Sequence, residues 1–90
     1  MKVDLLFGRD FSLWALETID PECICCVFTL DSKIAALADR FGLEVFTEYI
    51  NQVVFEPSII GLSVHYPWII RPPLLARYQN IYNLHPGYLP

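Results

Sequence analysis

No stretch of this 90-residue chain is apolar for long enough to cross a bilayer. The longest strictly apolar run is Cys23–Phe28, and the richest window, Ile59–Ile70, is broken by Gly61, Ser63, His65 and Pro67; a spanning helix needs roughly 18 apolar residues in a row. Basic residues are scarce as well. Six Lys and Arg against ten Asp and Glu leave a formal charge of −4, which gives no counterion-release drive toward nucleic acid or an anionic membrane. The N-terminus lacks a hydrophobic core followed by a small-residue cleavage site, so no secretory signal is read and a cytoplasmic protein is expected.

Glycine is thin where one cofactor class would need it. Gly8–Arg9–Asp10–Phe11 holds one glycine where a dinucleotide fingerprint has three, which argues against a nicotinamide or flavin site. There is no second Cys or His pair at zinc-site spacing to join Cys23, Cys25 and Cys26. These three are expected to be buried strand residues of a protein in a reducing compartment, since neighbours this close on a strand do not form an unstrained disulfide. Linkers, internal repeats and low-complexity tracts are absent too, so residues 1–90 are read as a single unit.

What is present is apolar. The AVILMFWYC set makes up 54% of the chain and charged residues 18%, too hydrophobic a balance for disorder. Val3–Phe7 reads as a buried strand running into a tight loop, and a first helix is expected over Phe11–Ile19, capped by Asp10 or Ser12 and stopped at Asp20–Pro21. Cys23–Leu30 shows no alternation, so it is expected to be a strand covered on both faces. Asp31–Ser32 then supplies a cap. Ile34, Leu37, Ala38 and Phe41 fall at i, i+3, i+4 and i+7 ahead of Gly42, the clearest helix in the chain.

Leu43–Phe46 resumes as a short strand, Thr47–Pro57 follows no single period, and Ser58–Val64 is the next buried strand. A third helix is expected over about Pro72–Tyr78, where proline suits the first turn, and Ile81–Leu84 is a last strand ending at His85–Pro86–Gly87. This order predicts an α/β fold with a mainly parallel sheet and helices on both faces. Ligands of such sheets bind outside the carboxyl ends of the strands. Four loops would line that crevice: Gly8–Phe11, Thr29–Ser32, His65–Ile70 and Asn83–Pro90. Asn83 lies two residues before His85, on the same strand face, so an amide donor and an imidazole stand together at a strand end. Such a pair polarises a carbonyl and moves a proton. His65 and His85 have no third ligand in view and are not read as a metal site.

The octapeptide Asn83–Leu84–His85–Pro86–Gly87–Tyr88–Leu89–Pro90 resembles the N-x-H-P-S-x-L-P motif of the folate-dependent formyltransferases, with Gly87 where serine is commoner. Gly61–Ile70 followed by Pro72–Pro73–Leu74–Leu75 looks like that family's strand, folate-pocket loop and helix start, and Phe7–Gly8–Arg9–Asp10–Phe11 looks like the opening of its tRNA and sugar enzymes. The resemblance implies a Rossmann-like three-layer formyltransferase fold and formyl transfer from 10-formyltetrahydrofolate to a primary amine. A small-molecule sugar amine is the favoured acceptor and methionyl-tRNA the next. Asn83 and His85 would be catalytic, and Tyr66, Trp68, Ile69 and Ile70 would line the folate pocket. The family's third catalytic residue is an aspartate beyond the motif, and Asp4, Asp10, Asp20, Asp31 and Asp39 all precede it. The chain is therefore expected to be the N-terminal part of a formyltransferase catalytic domain, incomplete at its C-terminal end and inactive alone. The alternative is a non-catalytic α/β module that binds a ligand or a partner, or self-associates through an exposed sheet edge.

Overall fold

Five parallel strands in the order β3-β2-β1-β4-β5 form the centre of the molecule. They are β1 (Val3–Phe7), β2 (Ile24–Phe28), β3 (Glu44–Phe46), β4 (Ile60–Val64) and β5 (Asn80–Leu84), joined by helices α1 (Leu13–Thr18), α2 (Ser32–Arg40) and α3 (Pro72–Leu75). The computed structural model describes residues 2–8, 13–58, 60–64, 66 and 71–84. The expected α/β class with a parallel sheet is what the chain adopts. No helix among the described residues is long and apolar enough to cross a membrane.

Strand alternation divides the core in two. Leu5, Phe7, Ile24, Val27 and Val64 meet Ala15 and Leu16 of α1 and Ile34 and Ala38 of α2 on one face. On the opposite face Leu6, Cys26 and Phe28 meet Ile50, with Phe46, Tyr49, Val53, Phe55, Tyr66 and Leu74 packed around them. The second cover is mostly irregular backbone. Residues 47–58 hold only a short 3-10 turn, Ile50–Gln52, and are fastened by Phe55, whose ring centroid lies 4.7 Å from that of Phe28.

The helix read most clearly from its spacing is also the best capped. The Asp31 carboxylate accepts from Lys33 N (2.9 Å) and Ile34 N (3.1 Å), satisfying two of the N–H groups a helix start leaves open. Gly42 ends the segment at φ +77°, a conformation that glycine enters without strain. Asp31→Ala is expected to lower stability by about 1 kcal/mol in a denaturant titration, with Asp31→Ser retaining most of it.

The cysteine expectation needs correction. Val3 pairs with Ile24 but Asp4 pairs with Cys26, so Cys25 is an extra residue in a β-bulge. This shift lets Ile24 and Val27, three apart, reach the same face. Cys25 is exposed, Cys23 sits in an exposed 3-10 turn ahead of the strand, and only Cys26 is buried. Val3–Phe7 keeps its expected bounds, and among the described residues the ends of the other strands and helices differ from expectation by at most three residues. The third helix falls furthest short, ending at Leu75 rather than Tyr78. Tyr78 leaves the helical path because its hydroxyl is drawn to Asp4, 2.7 Å away across the sheet.

Candidate functional site

The chain reverses direction between β1 and β4, since β1 is followed outward by β2 and β3 on one side and β4 by β5 on the other. Beside that reversal the carboxyl ends of parallel strands leave a crevice, the usual ligand position in open α/β sheets. The β1–β4 ladder runs one step beyond the strands through Gly8 N donating to Val64 O at 2.9 Å. Asn83 lies near the carboxyl end of β5, in register with Ser63 of β4, which is in register with Leu6 of β1. These three therefore share the face that carries the Phe28 cluster. Ser63 is buried and Asn83 is exposed.

Tyr66 belongs to the same face, packed half-buried against the Leu6, Cys26, Phe28 and Ile50 cluster. Its hydroxyl accepts from Ile50 N at 3.0 Å, so the ring fastens the backbone at residue 66 to the irregular cover. Burial is the largest influence on this phenol and raises its pKa. Next to that anchor, an open depression of about 180 Å3 is lined by Ile50, Asn51, Val53, Pro73, Leu74 and Arg77. Its walls mix apolar and polar surface, and Arg77 adds a guanidinium 3.3 Å from Glu56.

Of the remaining site residues, His85, Trp68, Ile69 and Ile70 lie outside the described residues, as do His65 and Asp10. The Thr29–Ser32 loop, one of the four expected to line the crevice, is committed to the fold. Thr29 Oγ1 accepts from Asp31 N at 3.1 Å and Asp31 caps α2. No group of three or more His, Cys, Asp or Glu able to hold a metal occurs among the described residues.

The most elaborate polar cluster is one that sequence reasoning did not find. Asp4 is fully buried on β1 and receives four donors from elsewhere in the chain. Its Oδ1 accepts from Ser58 Oγ (2.8 Å) and Cys26 Sγ (3.4 Å), and its Oδ2 from Ser58 N (2.9 Å) and Tyr78 OH (2.7 Å). Burial, reinforced by the neighbouring carboxylate, pushes the Cys26 thiol and the Tyr78 phenol upward, so both stay protonated donors. The cluster stands toward the amino ends of the strands, away from the crevice. Its role is to join β1, β2, the approach to β4 and the turn before β5. An aspartate in an apolar strand is the sole local signal for it. The partners lie 22, 54 and 74 residues further along.

Comparison with family models, curated proteins and solved structures gives no match for this chain.

Proposed function

We propose that the chain serves formyl transfer from 10-formyltetrahydrofolate to a primary amine, with a sugar amine as the favoured acceptor and methionyl-tRNA the next, in a cytoplasmic setting. The reading rests on the resemblance of residues 83–90 to the formyltransferase motif. The observation that supports it best is the position of Asn83, exposed near the carboxyl end of a parallel strand close to the chain reversal. The residues present suit a folate. Tyr66 offers an aromatic wall set in an apolar cluster, and Trp68, Ile69 and Ile70 follow it in the sequence.

The folate supplies an activated formyl group. In this reading the Asn83 amide donates a hydrogen bond to the formyl oxygen as negative charge builds there, in the manner of an oxyanion hole. His85 takes the proton that the attacking amine must lose and returns it to the departing folate nitrogen, work suited to an imidazole that titrates near neutrality. A third group would orient His85. Among the described aspartates none stands with Asn83: Asp4 is enclosed by its donors, Asp20 and Asp31 are caps, and Asp39 lies on α2. The chain is accordingly expected to bind the folate without turning it over.

Calorimetric titration with 5-formyltetrahydrofolate, a stable stand-in for the donor, tests this. Binding is expected, weakened about 2- to 12-fold by Asn83→Ala, the equivalent of one hydrogen bond at ~0.5–1.5 kcal/mol. No heat at millimolar folate would sink the reading. Turnover with an amine panel, abolished by His85→Ala, would uphold the reaction and refute the inactivity. The alternative of a non-catalytic module acting through ligand or partner binding is favoured by one observation, the outer edge of β5.

A further inference from the structure

The two edges of the sheet differ. At one edge β3 is only three residues long and begins with the exposed Glu44, both devices that discourage further pairing. At the other edge β5 runs for five residues, Asn80-Ile81-Tyr82-Asn83-Leu84, without a charge or a proline, and its register to β4 advances one for one without a bulge. No strand among the described residues pairs with its outer side. On the face beside it Leu62 packs at the margin of the cluster under α1 and α2, Ile60 is half-buried and Tyr82 is 55% exposed among the described residues.

We propose that β5 pairs antiparallel with β5 of a second copy of this chain, across a two-fold axis at Tyr82. A strand suits this edge because it pairs along the outer side of β5, which a docked helix does not do. The sequence of β5 is self-complementary in this register. Tyr82 faces Tyr82 of the second copy, Ile81 faces Asn83, and Asn80 faces Leu84, so no like charges meet and an aromatic cross-strand pair forms at the axis. Strand lengths match because the strands are identical, and the symmetry closes at two copies. A basic or acidic partner would find no countercharge on β5.

Magnitudes set the strength. Five residues extend only about 17 Å, so this contact falls short of the roughly 1,200–2,000 Å2 of a stable interface, and the dimer is weak and concentration-dependent. The formal charge of −4 on each copy opposes association, so added salt strengthens it.

Sedimentation velocity on the full chain from about 5 to about 500 μM tests the proposal, a span that brackets micromolar affinity. A monomer–dimer equilibrium is expected, tightening at higher salt and weakening at least tenfold in Tyr82→Lys, which sets two ammonium groups across the axis. Tyr82 is exposed enough for that variant to fold, and circular dichroism checks it. In a Cys23→Ser/Cys25→Ser background, Tyr82→Cys is expected to give a covalent dimer on mild oxidation, because residues facing each other across an antiparallel pair lie within disulfide reach. A monomer throughout the range, a dimer indifferent to Tyr82→Lys, or no cross-link from Tyr82→Cys would each overturn the assignment. Folate titration reads a separate property, so failure of the formyltransferase reading leaves this result standing and the reverse holds too.

Discussion

Asp4→Ala is expected to lower unfolding free energy by about 3–5 kcal/mol, measured by urea titration. The side chain is fully buried, and its removal strands the Ser58 N–H, the Ser58 hydroxyl, the Tyr78 hydroxyl and the Cys26 thiol at once. An unsatisfied buried donor costs about 1–3 kcal/mol, and hydroxyls recover part of that by rotating to other acceptors. A 90-residue domain has only about 5–13 kcal/mol in all at ~0.05–0.15 kcal/mol per residue, so the loss is a large fraction of the total. Asp4→Asn is expected to fall between, at about 1–2 kcal/mol. Each carboxyl oxygen accepts two donors, so an amide NH2 in either place meets groups that must turn round. The Ser58 hydroxyl can do so, and the Ser58 N–H cannot.

The same cluster makes the protein sensitive to alkali. Cys26 and Tyr78 hold their protons more tightly in the folded state than in the unfolded chain, where they titrate near 9.0 and 10.0. Their contribution is therefore complete below about pH 9 and declines as pH rises beyond it, since only the unfolded chain then releases the protons. Gly61 belongs to this arrangement. A Cβ there would stand 3.2 Å from the Tyr78 ring and 3.3 Å from Ile81, so glycine gives the ring its path over β4 to Asp4.

Much of this architecture was legible where local rules suffice. Val3–Phe7 is an uninterrupted strand with the predicted bounds, and the Asp31 cap, the apolar spacing of α2 and Gly42 all act within one or two helical turns. Features that depend on distant partners were not legible. The bulge at Cys25 hides in an apolar run whose residue types are the same with or without it, and it is set by the register against β1. Asp4 reads locally as an anomaly, and its meaning comes from Ser58 and Tyr78. At the candidate site the position of Asn83 near the end of a last strand was readable from the apolar run Ile81–Leu84. The sheet order that brings β5 near the chain reversal was not, because it depends on which edge of β1 accepts β4.

Phe28→Ala is expected to remove about 3–5 kcal/mol, the range for deleting a large aromatic from a packed core. For a domain of this size that corresponds to a fall in Tm of about 12–40 °C, at roughly 4–8 °C per kcal/mol. Phe28 has no solvent exposure, stacks on Phe46 with centroids 5.0 Å apart, and meets Phe55 at 4.7 Å. The position matters more than the volume, because Phe28 holds Phe55 and Ile50, two of the side chains that attach residues 47–58 to the sheet. A helix would keep its backbone hydrogen bonds after losing one contact, whereas this irregular segment depends on its side-chain anchors. Phe28→Ala is therefore expected to abolish hydrogen-exchange protection of the Ile50 amide at denaturant levels where α2 remains protected, and Phe28→Leu to do so only in part. Equal loss in both regions would show that the sheet's two covers unfold as one unit. The Ile50 amide is also the donor held by Tyr66 OH, so freeing residues 47–58 releases the aromatic wall of the candidate folate site. Binding is then expected to weaken in Phe28→Ala although Phe28 itself is buried beneath that wall, which ties the site to the part of the core whose cover is mostly irregular backbone.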